Sequence, residues 1–191
     1  MNETKYMYPE RVEKLKTVNV GIIEDHASNE MEVGLKRLGI ENIINIRDRQ
    51  TFENIDVVIC PEIDIDTMKE IYEKAESQKI PTVFLFNFGI GGCVTVTKPG
   101  FVKPSFIYEL NGKTPIEWML KYTRGFNAFW NIQNYPWLES VEGWINSPEI
   151  KSSIGFYTTI SAMLHVLAAL MTGEEIKYYP KFYLNSMKYQ P

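Results

Sequence analysis

The stretch from Asp56 to Gly100 constrains this chain most. Two uninterrupted apolar runs, Asp56-Val57-Val58-Ile59-Cys60 and Thr82-Val83-Phe84-Leu85-Phe86-Asn87, flank a charged segment from Asp64 to Gln78. A strand buried on one face alternates in polarity, whereas a strand buried on both faces does not. Two such runs around a helix therefore predict a parallel β-α-β unit in a sheet covered on both sides. Pro81 opens the second run, and Gly89, Gly91 and Gly92 interrupt it. A third strand, Cys93 to Thr97, runs out at Pro99-Gly100. Ligands of open sheets of this kind bind beyond the carboxyl ends of the strands. Those ends carry Glu62, Asp64, Asp66 and Asn87 to Gly92, and any chemistry is expected there.

The residues before this stretch extend the same pattern. Tyr6 to Lys16 predicts an entry helix with Pro9 in its first turn. Val18 to Ile23 reads as a strand that ends on Glu24-Asp25-His26. Asn29 to Leu38 reads as a helix, with Asn29 as its cap, Glu32 completing a capping box, and Gly39 as its stop. Ile43 to Ile46 is a further strand, followed by Arg47-Asp48-Arg49-Gln50. The expected fold is α/β: a Rossmann-like, three-layer, mostly parallel sheet in a single domain over 1–191. Within it, 17–100 form the core, 101–150 an aromatic-rich insertion, and 151–191 a closing apolar helix and a terminal strand.

The insertion departs from the periodic pattern. Aromatic residues crowd the interval from Tyr108 to Trp144, and a short helix over Glu117 to Tyr122 with ordered loop around it is expected. Such a segment serves as a lid, a docking surface or a cover for the sheet edge. Ile154 to Met171 is apolar and long enough to raise the question of a membrane span. Thr158, Thr159, Ser161 and His165 interrupt it. A buried core or dimer helix is the expectation, with His165 inside the core and no membrane. Tyr178 to Leu184 reads as a last strand or an extended arm.

Composition narrows the partners. A net charge of −4 over 191 residues argues against a nucleic-acid surface. The cysteines, Cys60 and Cys93, form no C-x-x-C pair, so zinc is not expected. Both fall in or beside predicted strands as buried thiols, which favours a reducing, cytoplasmic setting. Residues 1–14 contain no apolar run of the signal-peptide type.

The candidate site residues each have a structural alternative. Glu62 and Asp64, with Asp66, have the hard oxygen ligands that magnesium takes, yet acids also cap and start helices. Arg47 and Arg49 suit phosphate, or a solvated turn. Glu24, Asp25 and His26 form an acid–base or metal cluster, or a loop without that role. Asn87, Gly89, Gly91 and Gly92 can cradle a ligand by backbone contact, or only shape a turn. No residue is singled out as catalytic.

Taken in order, these motifs resemble the ubiquitin-activating-enzyme superfamily in its ThiF and MoeB branch. The resemblance rests on Asp56-Val57-Val58, the acidic loop at Glu62, Asp64 and Asp66, Lys79-Ile80-Pro81, and Gly92-Cys93-Val94-Thr95-Val96-Thr97-Lys98-Pro99-Gly100. The helix ending Leu170-Met171-Thr172-Gly173 is similar to that family's closing helix, and Glu13-Lys14-Leu15-Lys16 to its lead-in. The resemblance implies ATP and magnesium as cofactors and adenylation of a carboxyl group, commonly that of a ubiquitin-like protein.

Several departures bear on that chemistry. The family's G-x-G-x-x-G turn is replaced by Gly21-Ile22-Ile23-Glu24-Asp25-His26. Two like charges ~4 Å apart cost ~1 kcal/mol in water and ~4 kcal/mol at intermediate dielectric, so Glu24 and Asp25 oppose a triphosphate. The second strand has no acidic residue to hold a ribose, and Arg49-Gln50 is all that matches the family's Asn-x-x-Arg-Gln element. A helix and a strand that precede Asp56 in relatives are missing, and no cysteine follows Gly100. The favoured reading is a degenerate, non-catalytic binding or scaffold subunit of a homodimer or heterodimer. A peptide or a ubiquitin-like protein is a further candidate partner. The alternative is a divergent ATP-dependent adenylyltransferase acting on a carboxylate of a small molecule, peptide or ubiquitin-like protein. A nicotinamide- or SAM-type enzyme is disfavoured by the missing glycine fingerprint.

Overall fold

The structure is a computed structural model that describes residues 9–24, 28–46, 52–130, 136–143, 145 and 154–186. Among the described residues it is a mixed α/β fold of seven helices around a six-stranded sheet. In chain order these are α1 (Pro9–Lys16), β1 (Asn19–Ile23), α2 (Ser28–Leu38), β2 (Asn42–Ile46), β3 (Val57–Cys60), α3 (Ile65–Ser77) and β4 (Thr82–Asn87). They continue with β5 (Gly91–Thr97), α4 (Ser105–Tyr108), α5 (Pro115–Phe129), α6 (Pro136–Val141), α7 (Ile154–Thr172) and β6 (Tyr183–Ser186).

The strand order is β2-β1-β3-β4-β5-β6. The first four strands pair in parallel, with Ile22 beside both Asn45 and Ile59, and Cys60 beside Phe84. A tight turn at Phe88 to Ile90 then reverses the chain, and β5 runs antiparallel to both β4 and β6.

Alternation along each strand divides the core into two layers. Val20 and Ile22, Val57 and Ile59, Val83 and Leu85, and Val94 and Val96 face α1, α2 and α7. Ile23, Val58 and Cys60, Phe84 and Phe86, and Cys93 face α3, α4, α5 and α6. Every residue of β3 and all of β4 but Asn87 are buried, which is why these strands read as unbroken apolar runs. The crossover helix α2, between β1 and β2, lies on one face. Helix α3, between β3 and β4, lies on the other.

Local sequence explains most boundaries. Asp64 caps α3 by accepting the Thr67 backbone N–H at 2.9 Å. Gly39 ends α2 with φ of 102°, a left-handed conformation that glycine adopts without steric cost. Helix α2 begins at Ser28, so Glu32 does not form the expected capping box. Its carboxylate accepts from Lys36 at 2.5 Å and from Asn45 at 3.4 Å.

The aromatic segment is more ordered than expected. In place of a short helix over Glu117 to Tyr122, α5 spans 15 residues. Thr114 and Glu117 form a reciprocal capping box, and Pro115 occupies the first turn, the preferred place for proline. Trp118, Tyr122, Phe126 and Trp130 stand four residues apart, and each ring contacts the next. Met119, Leu120 and Thr123 line the buried side of the helix. Trp144 lies outside the described residues.

Candidate functional site

The carboxyl ends of β1, β3 and β4 lie along one edge of the sheet. The chain order reverses between β1 and β3, since β1 continues to β2 on one side while β3 leads to β4 on the other. Such a reversal opens the crevice in which open α/β sheets bind ligands. Glu24 stands at the end of β1, exposed to solvent. Gly21 lies inside β1 and not in the turn beyond it, where a Cβ would come within 2.7 Å of Ile46 and 2.9 Å of Ile55. Asp25, His26, Arg47 and Arg49 lie outside the described residues.

The acidic loop and the turn at Phe88 to Ile90 lie at this edge, but Gly91 and Gly92, expected in the turn, are the first residues of β5, because they pair with β4 and β6. Glu62 is half-buried and Asp64 exposed at the end of β3. Asp64 is engaged as the cap of α3 through both its carboxylate and its carbonyl oxygen. Among the described residues no three histidine, cysteine, aspartate or glutamate side chains form a group able to hold a metal.

Helix α7 covers the glycine turn. The Asn87 side-chain oxygen accepts the Gly89 N–H at 2.9 Å, which closes the turn on itself. The Gly89 carbonyl accepts the Gly155 N–H at 2.6 Å, so this loop satisfies one N–H of the first turn of α7. Gly155 sits so close that a Cβ there would lie 2.5 Å from the Gly89 carbonyl carbon and 2.6 Å from Asn87 Oδ1.

The two glycines of β5 accept neighbours on opposite faces, as successive strand residues do. A Cβ on Gly92 would overlap Thr159 Oγ1, and on Gly91 it would come within 2.6 Å of Trp137 and of the Asn185 carbonyl. Thr159, Trp137 and Gly155 are the residues that sequence reasoning missed. Their signal was weak because each is distant from the turn along the chain. Within α7 itself, a threonine four residues after a glycine marked only a hydroxyl able to bond back to the helix, as Thr159 does to the Gly155 carbonyl at 2.7 Å.

No family model and no curated protein matches the chain. Its fold is similar to the crystal structure of PaaA, with a TM-score of 0.58 and 13% identity over 98% of this chain and 75% of that one. It is also similar to the heterocyclase TruD, with a TM-score of 0.51 and 14% identity over 87% of this chain. The chain spans 22% of TruD's length. At these identities the likeness carries the fold alone.

A further groove lies away from this edge. A groove of about 720 Å³ runs between α2 and α7, with Val33 and Tyr157 on its rim and Leu164 and Ala168 among its lining residues. Helix α7 is the one described helix long and apolar enough to cross a membrane by length and composition, and 39% of its apolar window is buried. Its inner side packs on β4 and β5, and its outer side lines the groove. His165 is exposed on that outer side, not enclosed in the core as expected. Cys60 and Cys93 are free, buried thiols, and burial pushes the Cys93 thiol far above its ordinary pKa.

Proposed function

We propose that this chain is a non-catalytic binding subunit on a Rossmann-like, ThiF/MoeB-like fold, acting as one half of a dimer. The two crossovers on opposite faces and the reversal between β1 and β3 support the Rossmann-like reading. The observation that carries the functional reading is the seat of α7. A phosphate cradle needs free backbone N–H groups at a glycine turn or helix start. Here the Gly155 N–H is bonded to Gly89, and the surfaces of Gly91 and Gly92 are occupied by Trp137 and Thr159. Glu24 adds a carboxylate at the end of β1. These residues do not fit a magnesium–triphosphate, and no adenylation step is derived through them. The wide groove on the outer side of α7 supports recognition of a protein surface instead.

Thermal unfolding with and without millimolar ATP and magnesium tests this reading. No shift in midpoint is expected. A ligand at ~100 times its Kd stabilises the folded state by ~2.7 kcal/mol. A shift of that order would overturn the subunit reading and move the chain to the adenylyltransferase class.

A further inference from the structure

The groove between α2 and α7 ends on a pattern of charge that fits one particular occupant. Val33 is 50% exposed and Tyr157 63% exposed, and both line the groove. Met31, Leu35 and Leu38 bury the opposite side of α2, so Val33 contributes nothing to the chain's own core. Its neighbours on the same stripe are Glu30 and Arg37. Neither makes an ion pair with another described residue, whereas Arg11 and Glu174 at the far end of the groove already pair at 2.8 Å.

Glu30 and Arg37 are seven residues apart, which is two helical turns or ~10.5 Å along one side of α2. Val33 lies between them. An axis of two-fold symmetry through that midpoint, perpendicular to the helix, exchanges the two charged positions. It sets Glu30 of one copy against Arg37 of the other, and the reverse pair forms at the same time. An isologous interface has this property of satisfying each contact twice.

We infer that the α2–α7 groove is the interface between two copies of this chain, with the α2 helices antiparallel and Val33 at the two-fold axis. The inference rests on the subunit reading above and supplies its partner and its face. Burial of Val33, Tyr157 and Leu164 drives the association. The two Glu30–Arg37 pairs fix its register and exclude other orientations, as rim charges do.

Sedimentation equilibrium of the full chain at micromolar concentration tests the assignment. The wild-type chain is expected to be a dimer. Glu30→Arg alone and Arg37→Glu alone each turn two attractions into two repulsions and should weaken the dimer about tenfold. The double variant E30R/R37E restores both pairs with reversed polarity and should return dissociation to within about threefold of wild type. A Val33→Cys variant supplies an exposed thiol beside the symmetry axis. It should cross-link to its own copy with a short bis-maleimide, since Cys60 and Cys93 are buried. A dimer that is indifferent to the charge swaps and fails to cross-link through residue 33 overturns this face while leaving the subunit reading in place. A wild-type chain that stays monomeric overturns both.

Discussion

Gly92→Ala places a direct load on the seat of α7. A Cβ at residue 92 would overlap Thr159 Oγ1, stand 2.8 Å from Thr159 Cβ and lie 3.2 Å from the Phe86 carbonyl oxygen. Rotating the threonine side chain relieves the hydroxyl alone, because Cβ moves only with the helix. Rotation also breaks the bond from Oγ1 to the Gly155 carbonyl at a residue that is 3% exposed. Overpacking costs ~1–3 kcal/mol, and a buried hydrogen bond lost without replacement adds ~1–3 kcal/mol. The sum is a large share of the ~5–15 kcal/mol that holds a domain together. At ~2–4 °C per kcal/mol for a chain of this size, Tm should fall by roughly 10 °C.

Urea denaturation of wild type, G92A, T159A and G92A/T159A separates this clash from a general loss of packing. Thr159→Ala alone should cost ~1 kcal/mol for its hydrogen bond. In the double variant the hydroxyl overlap is gone, so its destabilisation should be smaller than the sum of the singles by at least ~1 kcal/mol, within the range for touching residues. An additive cycle, or a Gly92→Ala chain within ~0.5 kcal/mol of wild type, would refute the reasoning. Either result would leave the outer face of the turn open to a ligand and remove the main support for a non-catalytic subunit.

Two further outcomes follow from the same edge of the sheet. Asp64→Ala removes the cap of α3 and should cost ~1 kcal/mol, equally in magnesium and in EDTA; magnesium stabilisation of wild type alone would instead give Asp64 a metal role. Cys60 and Cys93 should both resist a thiol-specific disulfide reagent at pH 8 in the native chain and both react in guanidinium, because burial disfavours the reactive thiolate; a fast thiol in the folded protein would contradict their placement.

The core was legible because its strands are buried on both faces. Val57 to Cys60 and Thr82 to Asn87 have no polar alternation, and Asp64 announces the helix between them. Helix α5 was harder to read because crowded aromatics resemble a cover segment. The decisive signals were Thr114 and Glu117 at capping-box spacing with Pro115 directly after the cap, and the four-residue spacing of Trp118, Tyr122, Phe126 and Trp130. The break after β4 is legible in the sequence, but the entry of Gly91 and Gly92 into β5, and what packs against them, is not. A glycine cluster after a strand serves a ligand's backbone contacts or another element's close approach equally well. The residue that distinguishes these uses at Gly92 is Thr159, far along the chain. His165 was misplaced for a related reason. A helix apolar on nearly all sides carries little periodicity, so the sequence does not say which side faces the sheet.

Helix α7 ties the covered turn to the open groove. Its inner side, with Gly155, Thr159, Met163 and Val166, lies on the sheet, and its outer side, with Tyr157, Ser161, Leu164 and Ala168, lines the groove. Gly34 brings α2 so near that a Cβ there would stand 2.8 Å from Leu164 Cδ1. A displacement of α7 away from Gly92 therefore presses on α2 and changes the surface on which a second copy would dock. Close-packed interiors transmit strain of this kind and do not absorb it. Gly92→Ala should consequently weaken self-association as well as stability. Asp64→Ala, which acts on the opposite face of the sheet, should lower stability and leave self-association unchanged. Equal effects of the two variants on the dimer would show that global stability, not the position of α7, governs the interface.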